Sequence, residues 1–153
     1  MHESVTVHME APAERIYELV SDVTRIGRYS PETFEAEWLD GATGPAVGAK
    51  FRGHVKRNGR GPVYWTTCCV RVATPGQEFT FGQGSCDKPL SIWGYRMQPA
   101  GSGTDVTEFF ELSPRFALRV YWALLGWSRG KTNRNGMRTT LEAIRAEVEA
   151  VPS

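Results

Sequence analysis

Glu108 is the side chain that pattern places best to do chemistry. In an extended run every second residue points the same way, so across residues 104–112 Thr104, Val106, Glu108, Phe110 and Leu112 share one face, and Asp105, Thr107, Phe109 and Glu111 the other. The apolar weight of Val106, Phe110 and Leu112 turns the first face inward and carries Glu108 with it. A carboxyl in an apolar cavity has a raised pKa and can serve as acid or base. The competing reading pairs Glu108 with a nearby guanidinium such as Arg96, or seats it in water at a cavity rim. In the preceding run Ser91, Trp93, Tyr95 and Met97 share a face. Trp93 and Tyr95 are candidate cavity walls, able to stack on rings while the indole N–H or phenol hydroxyl orients a ligand. They serve equally well as plain core aromatics.

Other reactive side chains are less well placed. Over residues 50–56 the alternation turns Phe51, Gly53 and Val55 inward and leaves Arg52, His54 and Lys56 toward solvent, so His54 reads as a surface histidine. Over residues 63–74, Thr66, Cys68, Val70 and Val72 look inward and Trp65, Thr67, Cys69 and Arg71 outward. A nucleophilic Cys68 needs a base or cation to lower its pKa; the sequence offers none, which leaves a buried, inert thiol. Three cysteines are an odd number for a secreted disulfide framework. Cys68 and Cys69 point to opposite faces, so at most one of them shares a face with Cys86. All three are expected as reduced thiols in a cytoplasmic protein. His2 and His8 have no carboxylate or cysteine at metal-ligand spacing, and neither a metal nor a cofactor is expected. Gly82-Gln-Gly84 and Gly59-Arg-Gly61 are turn glycines, with no following helix and lysine to make a phosphate loop. No G-x-S-x-G signature is present.

The elements that must position these groups are legible. Residues 5–9 alternate as a strand. Ala11-Pro12-Ala13-Glu14 opens a helix, with proline in its first turn and an acid near its positive end; Ile16, Leu19, Val20 and Val23 form its apolar stripe. Ser21-Asp22 caps a second short helical stretch through Ile26 to Tyr29, stopped at Ser30-Pro31. Strands are expected at 33–40, 50–56, 63–74, 78–83, 91–98 and 104–112, with Asn58-Gly59 marking one hairpin and Pro75-Gly76 the next turn. After Pro114 the pattern becomes helical. Met137, Leu141, Ile144, Val148 and Val151 make a one-sided stripe, and residues 116–127 are rich in aromatics. One long, bent helix is expected, with Tyr121, Leu124, Leu125 and Met137 over the pocket. Trp122 and Trp127 exceed what one face can bury, which leaves a surface for ligand, membrane or partner.

The totals fit one domain: 153 residues and a formal net charge of +1. The cluster Lys56-Arg57-Asn58-Gly59-Arg60 reads as a solvated hairpin tip, and nucleic-acid binding is disfavoured. No stretch is long and apolar enough to span a membrane, and no integral membrane segment is expected.

The order of elements resembles the helix-grip fold of the START and pollen-allergen superfamily (SRPBCC), in its actinobacterial polyketide cyclase/dehydrase-like branch. The wording that carries the resemblance runs along the chain: Val7-x-x-x-Ala11-Pro12-x-x-x-Ile16-Tyr17, then Glu37-Trp38-Leu39-Asp40-Gly41 and Gly48-Ala49-Lys50-Phe51-x-Gly53. Trp65-x-Thr67-Cys68, Pro75-Gly76-x-x-Phe79-x-Phe81, Trp93-x-Tyr95 and Gly103-Thr104-x-Val106-Thr107-Glu108 follow. The resemblance implies an α+β domain over residues 1–153: a seven-stranded curved antiparallel sheet, two short helices after strand one, and a long C-terminal helix over a cavity. It implies a cavity but no shared catalytic motif. Ligand-binding candidates are Tyr29, Trp38, Phe51, Cys68, Phe81, Trp93, Tyr95, Phe110, Tyr121 and Leu125, with Tyr29 and Trp38 at the mouth. Three functions stay open: binding of a hydrophobic small molecule such as a lipid, polyketide or isoprenoid; a cyclase or dehydratase using Glu108, with Tyr95; and an interaction module on the Trp-rich helix face. A monomer or homodimer is expected.

Overall fold

A computed structural model describes residues 2–31, 33–56, 63–112 and 134–150. Its framework is one seven-stranded antiparallel sheet in the order β1-β7-β6-β5-β4-β3-β2. The strands are β1 (His2–Met9), β2 (Thr33–Trp38), β3 (Lys50–Lys56), β4 (Val63–Thr74), β5 (Glu78–Gln83), β6 (Ser91–Ala100) and β7 (Gly103–Leu112). Between β1 and β2 come helix α1 (Ala13–Val20) and a 3-10 turn, Val23–Arg28. Residues 134–150 form helix α2.

Each boundary has a local cause. Pro12 precedes α1 in extended geometry, because proline tolerates the first turn of a helix but not its interior. Asp22 caps the 3-10 turn by accepting from the Thr24 backbone N–H at 3.2 Å. β2 ends at Trp38, two residues before the expected end, because Asp40 and Gly41 adopt φ of 54° and 79° and turn the chain. β6 runs on to Ala100, two residues past its expected end, pairing Ala100 with Gly103 across the turn.

One face of the sheet packs with α1 and α2 into a single core. Val5, Val7 and Met9 of β1, Ile16 and Val20 of α1, and Met137, Leu141, Ile144 and Val148 of α2 all belong to it. The expected α2 stripe is therefore the buried one; Val151 and residues 113–133, including the aromatic stretch, lie outside the described residues. Two polar contacts lay α2 along β1: Arg134 Nη1 on Glu3 Oε2 at 2.7 Å, and the Glu10 N–H on Glu149 Oε2 at 2.9 Å.

The structure corrects one face assignment and the state of two cysteines. A bulge between Val70 and Val72 sets Val70 opposite Phe81 but Val72 opposite Thr80. The extra residue flips the alternation, so Val72 joins Glu78 and Arg96 at the outer surface and Ala73 packs toward the core in its place. The cysteines are also not all free: Cys69 is disulfide-bonded to Cys86, with Cα atoms 5.3 Å apart, and Cys68 alone remains a thiol. Cys69 does lie on the face opposite Cys68, as alternation requires. What the sequence could not show is that the β5–β6 connection folds back over that outer face and brings Cys86 to it.

Candidate functional site

The inward residues of the sheet line up in cross-strand rows. One row sets Glu108 of β7 opposite Tyr95 of β6, which faces Phe79 of β5. The next sets Phe110 opposite Trp93, and Trp93 opposite Phe81. A third runs from Gln83 through Cys68 to Phe51 and Trp38. Phe51 and Phe81 meet edge to face at 5.1 Å, and Trp93 tilts on Phe110 at 4.6 Å.

These rows do not close on one another, and a cavity of about 170 Å³ remains between the sheet, the 3-10 segment and the start of α2. Seven predicted residues lie in its wall: Phe51, Cys68, Phe81, Trp93, Tyr95, Glu108 and Met137 of α2. Tyr29, Trp38 and Phe110 do not. Trp38 stands behind Phe51, edge to face at 5.7 Å, and Phe110 is buried beneath Trp93. Tyr29 turns away toward α2, where its hydroxyl hydrogen-bonds the Glu147 carboxylate. Burial and that carboxylate together raise the Tyr29 pKa to about 12. Arg28 joins the same carboxylate at 3.2 Å, so the two residues clasp the 3-10 segment to α2 beside the cavity. Tyr121 and Leu125 lie outside the described residues.

The wall also holds residues that the list of candidates missed. Ile26 comes from the 3-10 turn and Ser30 and Pro31 from the loop after it, whose few residues set up no readable period; Gly136 and Thr140 come from α2. Gln83 was findable, since it lies two residues past Phe81 in the same alternation.

Glu108 is the ionisable centre of the site. It is 6% exposed. Burial, the larger effect, and a hydrogen bond from Tyr95, which opposes it, leave its pKa at about 8, so at neutral pH it is mostly a neutral acid. The Tyr95 pKa is driven well above the usual tyrosine value by its own burial and by Glu108. The second carboxyl oxygen, Oε2, has no hydrogen-bond partner among the described residues. The expected alternative, a pair with Arg96, is ruled out by the pleat. Arg96 lies on the outer face, 3.2 Å from Glu78 and stacked over Phe109 at 4.2 Å.

Cys68 sits in the wall with its pKa pushed up to about 12 by burial, which suits an inert thiol and not a nucleophile. His54 is on the outer face, stacked on Trp65 at 4.1 Å and 2.7 Å from Glu35. His8 does meet carboxylates, against expectation: Asp105 at 2.8 Å, its cross-strand partner, and Glu10 at 2.6 Å. Among the described residues no group of three ligands could hold a metal ion, and no helix is long and apolar enough to cross a membrane.

Known proteins share this architecture. The polyketide-cyclase-like protein Cgl2372 of Corynebacterium glutamicum is 30% identical over 97% of this chain and 91% of its own, with a TM-score of 0.63. TTHA0849 of Thermus thermophilus is 18% identical with full coverage of both chains and a TM-score of 0.72. The di-domain ARO/CYC BexL of the BE-7585A biosynthetic pathway is 19% identical over 97% of this chain and 46% of its own, at a TM-score of 0.67; at that identity the likeness is one of fold. No curated protein sequence matches significantly. The sequence pattern of one family fits residues 2–149, and by that match the chain belongs to the polyketide cyclase / dehydrase and lipid transport family, with its helix-grip fold.

Proposed function

We propose that this domain binds a small hydrophobic molecule in the cavity, with the molecule's polar end at Glu108. The observation that carries the reading is the Oε2 of a buried carboxyl, unpartnered among the described residues, in a wall rich in aromatic side chains that also holds the neutral polar groups of Thr66, Gln83 and Thr140. A buried polar atom without a partner is destabilising, and a ligand group can supply the missing bond. The cavity volume of about 170 Å³ favours a ligand, or a part of one, about the size of a single ring; a dry cavity of about 150 Å³ accommodates benzene.

A second reading has its own support. An acid with a pKa of about 8 beside a tyrosine hydroxyl is poised to move a proton near neutral pH. On this reading Glu108 protonates or deprotonates the bound molecule in a cyclisation or dehydration, and Tyr95 positions it.

Native mass spectrometry of protein from its own host tests the binding reading. A co-purifying small molecule that is lost in Trp93→Ala is the expected result. Protein free of ligand that also takes up no small aromatic compound from solution would end it. Any turnover found on an identified ligand should fall at least a hundredfold in Glu108→Gln if the carboxyl moves the proton. An unchanged rate would leave Glu108 a binding group.

A further inference from the structure

The wall of the cavity carries a charge preference. Among its described residues there is one carboxyl, Glu108, and no lysine, arginine or histidine. The arginines nearest in the sheet are engaged on the other face: Arg96 with Glu78 and Phe109, and Arg52 with Glu37. Arg28 is held by Glu147 outside the wall. A carboxylate or phosphate entering this space would give up water, find no counter-charge among the described wall residues and lie beside an acid. Flat aromatic faces, by contrast, are abundant: Phe51, Phe79, Phe81 and Trp93 all line the wall.

Of the polar groups in the wall, Glu108 has the buried atom left without a partner among the described residues, and that atom has a defined hydrogen-bonding sense. Tyr95 takes up one part of the carboxyl and Oε2 is left over. In its neutral form the acid has one O–H to give, and the ligand atom that satisfies it is an acceptor. We infer that the cavity selects an uncharged, single-ring carbonyl compound whose oxygen accepts a hydrogen bond from Glu108, and that it refuses a carboxylate of the same shape. This rests on the reading of the cavity as a ligand site.

The other titratable groups around Glu108 leave this sense intact. Tyr95 faces it from β6, and Val5 stands opposite from β1. Tyr29, bonded to Glu147 of α2, acts on Tyr95 from the 3-10 segment. Cys68 and Tyr64 line the wall from β4. Tyr29 and Cys68 have pKa values of about 12 and Tyr95 well above its usual range, so Glu108 is the group among these whose shifted pKa falls between pH 6.5 and 9.

Four probes of one shape test the inference on the intact protein: toluene, acetophenone, benzoate and benzylamine, titrated by NMR or by tryptophan fluorescence at pH 6.5 and pH 9. Acetophenone is expected to bind more tightly than toluene at pH 6.5 and benzoate at least a hundredfold more weakly than acetophenone. With a Glu108 pKa of about 8, the competent acid falls to roughly a tenth of the population at pH 9, so acetophenone affinity should drop about tenfold there. Toluene should hold constant, which controls for loss of fold. In Glu108→Gln the amide N–H still donates but no longer titrates, and the pH dependence of acetophenone should vanish. Benzoate binding as tightly as acetophenone, benzylamine binding most tightly at pH 6.5, or a flat pH profile in the native protein would each overturn the charge preference. In those cases toluene binding still supports a ligand cavity. No binding of any probe, toluene included, would bring down that underlying reading as well.

Discussion

Tyr95 stands directly opposite Glu108 across β6 and β7, and among the described residues its hydroxyl is the group that hydrogen-bonds the buried carboxyl. Burial and the Tyr95 hydroxyl pull the acidity of Glu108 in opposite directions. Burial favours the neutral acid, and the tyrosine O–H favours the carboxylate; burial wins, and the pKa settles at about 8.

Removing the hydroxyl should therefore move Glu108 further from its ordinary value. In Tyr95→Phe the opposing hydrogen bond is gone while the ring and its packing stay, so the Glu108 pKa should rise above its native value of about 8. A carbon-detected NMR titration of the glutamate carboxyls checks this. A Glu108 pKa that falls or stays put would show that Tyr95 does not donate to it.

Glu108 should also leave a signature in stability against pH. Its folded pKa of about 8 lies above the ordinary 4.5, so the folded state holds a proton that the unfolded chain releases between those values. The stabilisation is complete below pH 4.5 and is lost as pH rises through about 8, at up to about 1.4 kcal/mol per pH unit in between. His8, raised by Asp105 and Glu10, also loses a stabilising proton as pH rises through its own range, so absolute curves mix the two. The difference between native protein and Glu108→Gln isolates Glu108. Urea midpoints from pH 5 to pH 9 should show the glutamine variant gaining relative to native protein at each step, with no further gain above pH 9.

The cysteines should separate cleanly by chemistry. Under denaturing, non-reducing conditions one thiol, Cys68, should react with an alkylating agent, and three after reduction. In the folded protein Cys68 should resist alkylation at pH 8, because burial holds its pKa near 12. The bridge closes a sequence separation of 17 residues, and Cys86→Ser should destabilise by roughly 3 kcal/mol. Three reactive thiols in the unreduced protein would contradict the pairing.

Two glycines should respond in opposite senses to the same substitution. A Cβ at Gly94 would lie 2.5 Å from Thr80 Oγ1 and 2.6 Å from Phe109 Cζ, on the packed outer face. Gly94→Ala should cost about 1–3 kcal/mol by overpacking. At Gly136 the nearest atom would be Pro31 Cγ at 3.7 Å, an ordinary contact, and Gly136→Ala should gain about 0.5–1 kcal/mol from helix propensity. Thermal denaturation of the two variants reads both signs.

Period-two alternation placed Glu108, Tyr95, Trp93 and Phe51 inward because each lies in a strand whose register is unbroken there. It failed at Val72, where one bulged residue reverses every later side chain on β4. Tyr29 was placed at the mouth by resemblance, but its hydroxyl is drawn to Glu147, a partner 118 residues away in the chain.

By itself, then, the sequence determined what is local: the order of strands and helices, the face on which each side chain of an unbroken strand lies, and with it the burial of an acid at position 108. Those follow from backbone geometry that repeats over a few residues. Only the tertiary structure decided what is non-local. It brought Cys86 over Cys69, left Oε2 of Glu108 without a partner, and turned Arg96 away to Glu78. It also kept the inward rows far enough apart to leave a cavity of about 170 Å³. These are distances between segments remote in sequence, set by sheet curvature and by how closely the helices pack, and no repeat along the chain encodes them.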